Sequence, residues 1–460
     1  PVHWRSLDDE GERRTVQLPG RVVLDGIELL RAAFYRFESF SLENVAREIL
    51  GEGKLLHGSD RGGEITELFL ADKTRLADYN LKDCELVSDI FRETGLLDFA
   101  IARSAMTGLN MDRLGGSVAS FDNLYLPRLH REGFVAPNAP SEPPDSPGGF
   151  VLDSAPGIYD HVLVLDFKSL YPSIIRTFHI DPLGLALGVS GELEESDTVP
   201  GFRGGQFARE GHILPDLIAS LWQQRDAAKA DDDQPLSQAI KIIMNSFYGV
   251  LGSPGCRFFD TRLASSITLR GHQILQDTRD YIERAGHRVI YGDTDSVFVW
   301  IHEATDDASA IAAGRELEVA LNTWWRERVH KEFGVESALE LEFETHYQRF
   351  LMPTVRGSDK GSKKRYAGLV ATPEGAKMVF KGLENVRTDW TRLAREFQQE
   401  LYRRVFLGEP FEAWVRELVA EVRAGEHDDQ LVYRKRLRRK LNEYEKNVPP
   451  HVQAARQCES

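Results

Sequence analysis

The stretch from Arg288 to Trp300 reads RVIYGDTDSVFVW and sets two carboxylates, Asp293 and Asp295, between runs of β-branched and aromatic residues. This pattern predicts a β-hairpin with the aspartates at its tip. In an extended backbone, side chains two residues apart share a face and lie roughly 6–7 Å apart. Bare carboxylates at that distance repel by about 2–3 kcal/mol at an effective dielectric near 20. A divalent cation between them removes the repulsion, and magnesium takes oxygen ligands of this kind. An acidic turn facing water is the plainer alternative. The apolar arms favour the metal, because they bury the hairpin and hold its tip. A third carboxylate, Asp166, ends the apolar strand His161 to Leu165 and becomes available to the same ion.

A second constellation is cationic. A helix from about Leu214 to Ala230 carries Arg225 and Lys229 at i and i+4. After the turn Asp231-Asp232-Asp233 with Pro235, a second helix, QAIKIIMNSFYG, carries Lys241, Asn245 and Tyr248 on one face and ends at Gly249. Two helices joined so closely pack antiparallel. Three cations on facing helices repel unless an anion lies between them, and a triphosphate suits that role. Ordinary solvated helix charge is the alternative for any one of them.

The remaining elements must position these groups. The chain has 460 residues, enough for two or more domains. Hydrophobic residues at 42% and charged residues at 28% fit a globular protein. A net charge of −15 argues against a uniformly basic nucleic-acid binder but leaves room for local basic surfaces. Three scattered cysteines without CxxC spacing argue against a zinc framework or disulfides. No apolar run is long enough to span a membrane. Residues 1–20 read as charged surface, including the Asp8-x-Glu10 triplet. Residues 21–27 read as a strand, followed by a helix and then a second helix capped by Ser41 that runs to Leu50. Ala71 to Thr94 reads as one amphipathic helix with Tyr79 and Asp83 on a shared face, a weak signal by itself. The prolines from Pro137 to Pro147, closed by Gly148-Gly149, mark a linker. Pro172 suggests a turn over Lys168 to Ser173, and residues 188–213 read as a glycine-rich loop. Leu339 to Met352 is a half-buried strand with Glu340, Glu342 and Glu344 on its wet face. Trp324 and Trp325 read as core. Arg356 to Lys381 is basic, and residues 434–440 read RKRLRRK, a cluster suited to phosphate contacts.

Three stretches, DFKSLYPSII, KIIMNSFYGVLG and YGDTDS, in this order resemble the A, B and C motifs of family B DNA polymerases. The flanking CRFFDTRLASSITLRGHQI, SKKRYAGL and VYRKRLRRKLNEYEKNVPPHV are most similar to the bacterial DNA polymerase II branch, and the likeness covers nearly the whole chain. It implies a mixed α/β, multidomain fold of palm, fingers and thumb with the remnant of a ribonuclease H-like 3′–5′ exonuclease domain. On this likeness 1–100 is the C-terminal part of the exonuclease domain and 101–150 a connector. Residues 151–205 and 253–382 make the palm, 206–252 the fingers and 383–460 an incomplete thumb. Asp166 and Asp295 would hold two magnesium ions (manganese being an alternative), with Asp293 as a weaker or indirect ligand. Arg225, Lys229 and Lys241 would neutralise the β- and γ-phosphates, and Asn245 would orient a phosphate or base. Backbone amides at Ser169 and Leu170 would add contacts to the triphosphate. Tyr171 stands where the family's ribose-sensing tyrosine stands. Tyr248, Gly249, Lys363, Lys364, Arg365, Tyr366, Lys381, Arg434, Lys435, Arg436, Arg438 and Arg439 would hold primer-template DNA.

The likeness further implies template-directed DNA synthesis in bacterial replication, repair and the SOS response. The expected partners are primer-template DNA and deoxynucleoside triphosphates, with a sliding clamp for the full-length protein; the expected location is the cytoplasm, at the nucleoid. Tyr79-x-x-x-Asp83 matches the third exonuclease motif alone, so proofreading is not expected of this chain. A two-metal nuclease and a catalytically silent DNA-binding relative use some of the same residues. A nuclease needs no triphosphate clamp, and a silent relative needs no intact carboxylates.

Overall fold

The computed structural model describes residues 3–6, 14–37, 39–56, 61–113, 116–139, 149–355, 357–387, 390–432, 441, 444 and 448–458. Asp8, Glu10, most of the proline-rich linker and the whole cluster from Arg434 to Lys440 lie outside them. The chain forms two compact units. One comprises 1–150, 167–274 and 322–340. The other comprises 151–166, 275–321 and 341–460.

The elements begin with an antiparallel pair, β1 (His3–Ser6) and β2 (Arg14–Gln17). Helices α1 (Gly26–Ala32) and α2 (Leu42–Leu50) follow. The strand expected over 21–27 is absent, because Asp25 caps α1 instead, accepting from the amides of Ile27 and Glu28. Ser41 caps α2 as expected, its hydroxyl accepting from Asn44 N. The helix expected over Ala71 to Thr94 is α4 (Lys73–Thr94), and a helix not anticipated, α3 (Arg61–Ala71), precedes it. Asp72 separates them by capping the second through Arg75 N. Then come α5 (Leu96–Thr107) and α6 (Ser117–Arg131).

Strand β3 (Gly157–Phe167) leads into α7 (Leu170–Thr177) and α8 (Pro182–Gly188). Pro172 sits within α7, so the turn expected through Ser173 ends at Ser169. A proline in the first helical turn lacks only an amide that has no partner there. The expected loop at 188–213 contains the antiparallel pair β4 (Thr198–Pro200) and β5 (Gln206–Ala208). Val199 and Phe207, both 0% exposed, give the pair its own core contact. Helices α9 (Leu214–Ala230) and α10 (Gln234–Leu251) pack together as expected. Helix α11 (Thr261–Arg284), strands β6 (Arg288–Asp293) and β7 (Ser296–Trp300), and helix α12 (Asp307–Phe333) come next. Strands β8 (Leu341–Met352), β9 (Tyr366–Thr372) and β10 (Gly375–Lys381) and helices α13 (Arg392–Leu407), α14 (Glu412–Ala424) and α15 (Pro450–Cys458) complete the order. No helix among the described residues is long and apolar enough to cross a membrane.

In the first unit, the buried faces of α1, α2, α4 and α5 meet Ala239 of α10 in one apolar cluster. Beside them, Asp181 is wholly buried. Its Oδ1 accepts from Tyr125 Oη at 3.0 Å and Leu214 N at 2.7 Å, and its Oδ2 from Gly184 N at 2.7 Å. One carboxylate therefore caps α8 and holds the start of α9, the helix that carries Arg225 and Lys229. Burial raises its pKa, while the amides of Gly184 and Leu214 oppose that shift.

In the second unit, six strands form a sheet in the order β10-β9-β8-β3-β7-β6. One face buries Val162, Val164, Ile290, Phe298, Tyr347 and Phe350. Gly368 of β9 lies beneath Tyr347; a Cβ there would come within 2.2 Å of the ring, so only glycine fits. Helix α12 approaches β3 less tightly at Gly314, where a Cβ would meet Leu163 at 3.1 Å.

Asp181→Ala should lower stability by roughly 3 kcal/mol, because it strands two amides and a tyrosine hydroxyl in a dry interior. Chemical denaturation followed by circular dichroism checks this; a loss below about 1 kcal/mol would show that α9 is fixed by other contacts.

Candidate functional site

The carboxylates gather by strand register. Asp166 of β3 pairs with Ser296 of β7, and Ser296 also pairs with Asp293 of β6. Residues directly opposite one another in a sheet project to the same face, so Asp166, Ser296 and Asp293 form one row. Neighbouring strands lie about 4.8 Å apart, which sets the Asp166 and Asp293 backbones roughly 10 Å from each other. Asp295 sits beyond the row, in the two-residue loop Thr294-Asp295. The expectation that Asp293 and Asp295 share an extended face is thereby corrected: the chain reverses between them. Thr294 takes φ +56°, a left-handed value that a β-branched residue rarely adopts. The turn is tight, with Asp295 N donating to Asp293 O at 2.6 Å.

Asp293 is held on three sides. Thr294 Oγ1 donates to its Oδ1 at 3.0 Å, Tyr291 Oη donates to its Oδ2 at 3.3 Å, and Lys364 Nζ stands 3.4 Å from Oδ1. Tyr291 Oη in turn accepts from Lys364 N at 2.9 Å. Asp295 has no such cationic partner among the described residues. Burial raises its pKa, and the charges of Asp293 and Glu344 raise it further against the weaker pull of Lys364. A carboxylate in that position is short of positive charge, and a divalent cation supplies it. The donor set is all oxygen, which fits a hard ion.

Ser296, Tyr291 and Glu344 were not anticipated as members of this site. Tyr291 was legible, since it precedes Asp293 by two residues on the same strand and so shares its face. Ser296 could not be placed without the register. Glu344 is exposed, as its wet-face reading requires, yet its charge reaches Asp295.

The basic segment before β9 is pinned to the same unit. Lys363 Nζ donates to Val151 O at 3.2 Å and stands 3.6 Å from Asp153. Arg365 pairs with Glu384. Tyr366 packs among Tyr291, Phe298 and Phe350, and burial lifts its hydroxyl pKa far above the usual range. Lys381 is exposed, opposite Tyr366 in register. The residues of 434–440 named for DNA lie outside the described ones.

The other unit carries the cationic helices. Lys229 is exposed on α9 and Arg225 half-buried, while Lys241, Asn245 and Gly249 form an exposed stripe on α10. No carboxylate of the described residues pairs with Lys229 or Lys241. Tyr171 lies in the first turn of α7, its ring 4.4 Å from that of Tyr248. Gly271 of α11 lies against the Tyr171 ring, where a Cβ would stand at 3.5 Å. Ser169, at φ +44°, bends the chain into α7, so that the Leu170 amide opens the helix. Farther back, Lys54 Nζ donates to Tyr79 Oη at 2.9 Å and to Asp83 Oδ2 at 2.6 Å. The shared helix face of Tyr79 and Asp83 is therefore real, and a lysine ammonium occupies it.

A model of DNA polymerase family B matches residues 115–460. DNA polymerase II of Escherichia coli (strain K12) is 56% identical over 99% of this chain and 58% of its own length. A DNA polymerase of Thermococcus gorgonarius is 27% identical over 97% of the chain and 57% of its own length. The DNA polymerase alpha catalytic subunit of Oryza sativa subsp. japonica is 30% identical over 68% of the chain and 20% of its own length. The chain thus spans little more than half the length of the first two relatives.

Asp295→Asn should stabilise the chain when divalent ions are chelated, because it removes a buried, repelled charge. The expected rise in melting temperature is about 2–4 °C, the shift for roughly 1 kcal/mol. Added magnesium should raise the wild-type melting temperature more than that of the variant. A variant that melts below wild type in chelator would mean the carboxylate is already compensated.

Proposed function

The chain belongs to DNA polymerase family B, and from this we propose that it adds deoxynucleotides to a primer 3′-hydroxyl on a DNA template. The observation that carries the proposal is the register Asp166–Ser296–Asp293 with Asp295 at the adjoining turn. Asp166 and Asp295 would hold two magnesium or manganese ions, with Asp293 adjacent. When bound, such ions supply an acidified primer hydroxyl and a neutralised pyrophosphate leaving group.

The chain's own residues do the rest. Tyr291, Thr294 and Lys364 hold Asp293 in one orientation, so the site is ordered before substrate arrives. Arg225, Lys229 and Lys241 neutralise the β- and γ-phosphates, and the amides at Ser169 and Leu170 donate to phosphate oxygens. Asn245 orients a phosphate or the base. Tyr171, supported by Tyr248 and Gly271, fills the space that a ribose 2′-hydroxyl needs. Tyr248, Gly249, Lys363, Lys364, Arg365, Tyr366 and Lys381, with the segment 434–440, serve the primer-template duplex. Residues 151–205 and 253–382 act as palm, 206–252 as fingers, 383–460 as thumb, and 1–100 as part of an exonuclease domain. A bacterial cytoplasmic role in replication and repair, with a sliding clamp for the longer protein, is consistent with the relatives. The ammonium groups of Lys229 and Lys241, which pair with no carboxylate of the described residues, favour triphosphate use over plain phosphodiester hydrolysis.

Primer extension with magnesium and four deoxynucleotides tests the proposal. Asp166→Ala or Asp295→Ala should reduce extension by about 10³-fold or more, since metal stabilisation of transition-state charge is worth several kcal/mol, while duplex affinity changes little. Extension by either variant at a near wild-type rate would falsify the metal assignment. Tyr171→Ala should raise ribonucleotide incorporation relative to deoxynucleotide. An unchanged ratio would place the sugar gate elsewhere.

A further inference from the structure

A second metal-ligating cluster lies in the sheet unit, apart from the carboxylate row. His161 is in β3, His346 in the adjacent β8, and Asp307 is the first residue of α12. His161 Nδ1 lies 3.2 Å from His346 Nε2 and 3.6 Å from Asp307 Oδ1. All three ligand atoms fall within 4.8 Å of one another. The imidazole rings are stacked, 7° from parallel. His161 precedes Asp166 by five residues along β3, roughly 17 Å at strand rise.

We propose that His161 Nδ1, His346 Nε2 and Asp307 Oδ1 form a zinc site, with a fourth position left to water. Zn–N bonds of about 2.0–2.1 Å in tetrahedral geometry put neighbouring donor atoms roughly 3.3–3.4 Å apart. The observed 3.2 and 3.6 Å bracket that edge. The donor chemistry, two imidazoles and one carboxylate, suits zinc and not magnesium, which keeps to oxygen ligands.

The alternative without metal is a hydrogen-bonded triad, and it is incomplete. His161 Nδ1 faces both an imidazole nitrogen and a carboxylate oxygen. If neutral His346 donates to it, its lone pair is spent and it meets the carboxylate with no proton between them. If it carries the proton itself, that proton is shared at best between His346 Nε2 and a carboxylate oxygen 3.6 Å away, too far for a good hydrogen bond. A cation at the centre of the three atoms satisfies all of them at once.

The surroundings fix the ligands as a built site requires. Gln348 Nε2 donates to the other oxygen of Asp307 at 2.5 Å, which turns Oδ1 toward the histidines. His161 is held at φ +56°, and its carbonyl accepts from Ile301 N at 3.0 Å. A left-handed residue inside a strand is costly and redirects its side chain, here toward the neighbouring strand and the helix start. The metal would tie β3, β8 and the N-terminus of α12 together. The site does not depend on the polymerase assignment.

The test is zinc titration of the chelator-treated 460-residue chain by calorimetry, with millimolar magnesium present to fill the carboxylate row. Cobalt substitution gives an independent spectroscopic readout. Wild type should bind one zinc ion, show the intense visible absorption of tetrahedral cobalt, and melt at a higher temperature when loaded. Asp307→Asn and His346→Gln should each weaken zinc binding by roughly tenfold or more and abolish the thermal shift. Asp307→Asn keeps the side-chain shape and so carries the test if His346→Gln fails to fold. Equal zinc affinity in wild type and Asp307→Asn would place the ion elsewhere, for example at the His179–His212 pair. No zinc binding by wild type would also overturn the proposal.

Discussion

Repulsion among carboxylates held by a rigid sheet is the constraint on which the second unit depends. Asp166 and Asp293 flank Ser296 because three strands are in register, and Asp295 lies just past them in a two-residue turn. The sheet cannot relax to separate the charges, since Val164, Ile290 and Phe298 on the same strands are buried and β3, β7 and β6 are hydrogen-bonded. Electrostatic cost is therefore built into the fold in the absence of cations. Lys364 and Tyr291 offset it at Asp293 by direct contact, whereas at Asp295 only the weaker, longer-range pull of Lys364 acts. The unequal treatment is informative: the carboxylate with no direct cationic partner among the described residues is the one expected to bind metal most directly.

The first unit solves a different problem, that of fixing two helices that expose cations. Lys229 and Lys241 gain nothing from the protein by pointing outward, so packing elsewhere must hold α9 and α10. Ala239, Ile243, Met244 and Phe247 bury one side of α10, and Asp181 anchors the start of α9 through Leu214 N. A fully buried carboxylate is a costly anchor unless its hydrogen bonds are complete, and here backbone amides and Tyr125 complete them. The exposed stripe Lys241–Asn245–Gly249 is the opposite side of that same helix.

Much of this was legible in the chain because it depended on local pattern. The limits of α9, the Ser41 cap, the hairpin flanking Asp293 and the acidic end of β3 follow from periodicity and capping chemistry. The misreadings occurred where a single polar residue overrode that pattern. Asp25 turned a strand-like run into a helix start, and Asp72, as the cap of α4, moved that helix's start from Ala71 to Lys73. What could not be read was register. Nothing local tells that Ser296 stands between Asp166 and Asp293, or that His161, Asp307 and His346 converge. These residues are far apart in sequence and meet only when β3 finds its neighbours and α12 begins at Asp307.

Backbone strain marks the same places. Among the described residues, eight other than glycine adopt positive φ, and four of them, His161, Ser169, Thr294 and Lys364, belong to the groups described above. Each costs of order 1 kcal/mol or more and persists only when its surroundings enforce it. At Thr294 the strain reverses the chain between two carboxylates. At Lys364 it allows one residue to offer both its amide to Tyr291 and its ammonium to Asp293. At Ser169 it opens α7 two residues before Tyr171. In each case a relaxed backbone would move a polar group out of place, so the strain and the chemistry share a cause. His161 shows the same signature in the middle of a buried strand, where no turn demands it. Left-handed backbone there breaks the alternation of the strand, so that Tyr159 and Val162 both enter one core while the imidazole lies beside His346 and Asp307.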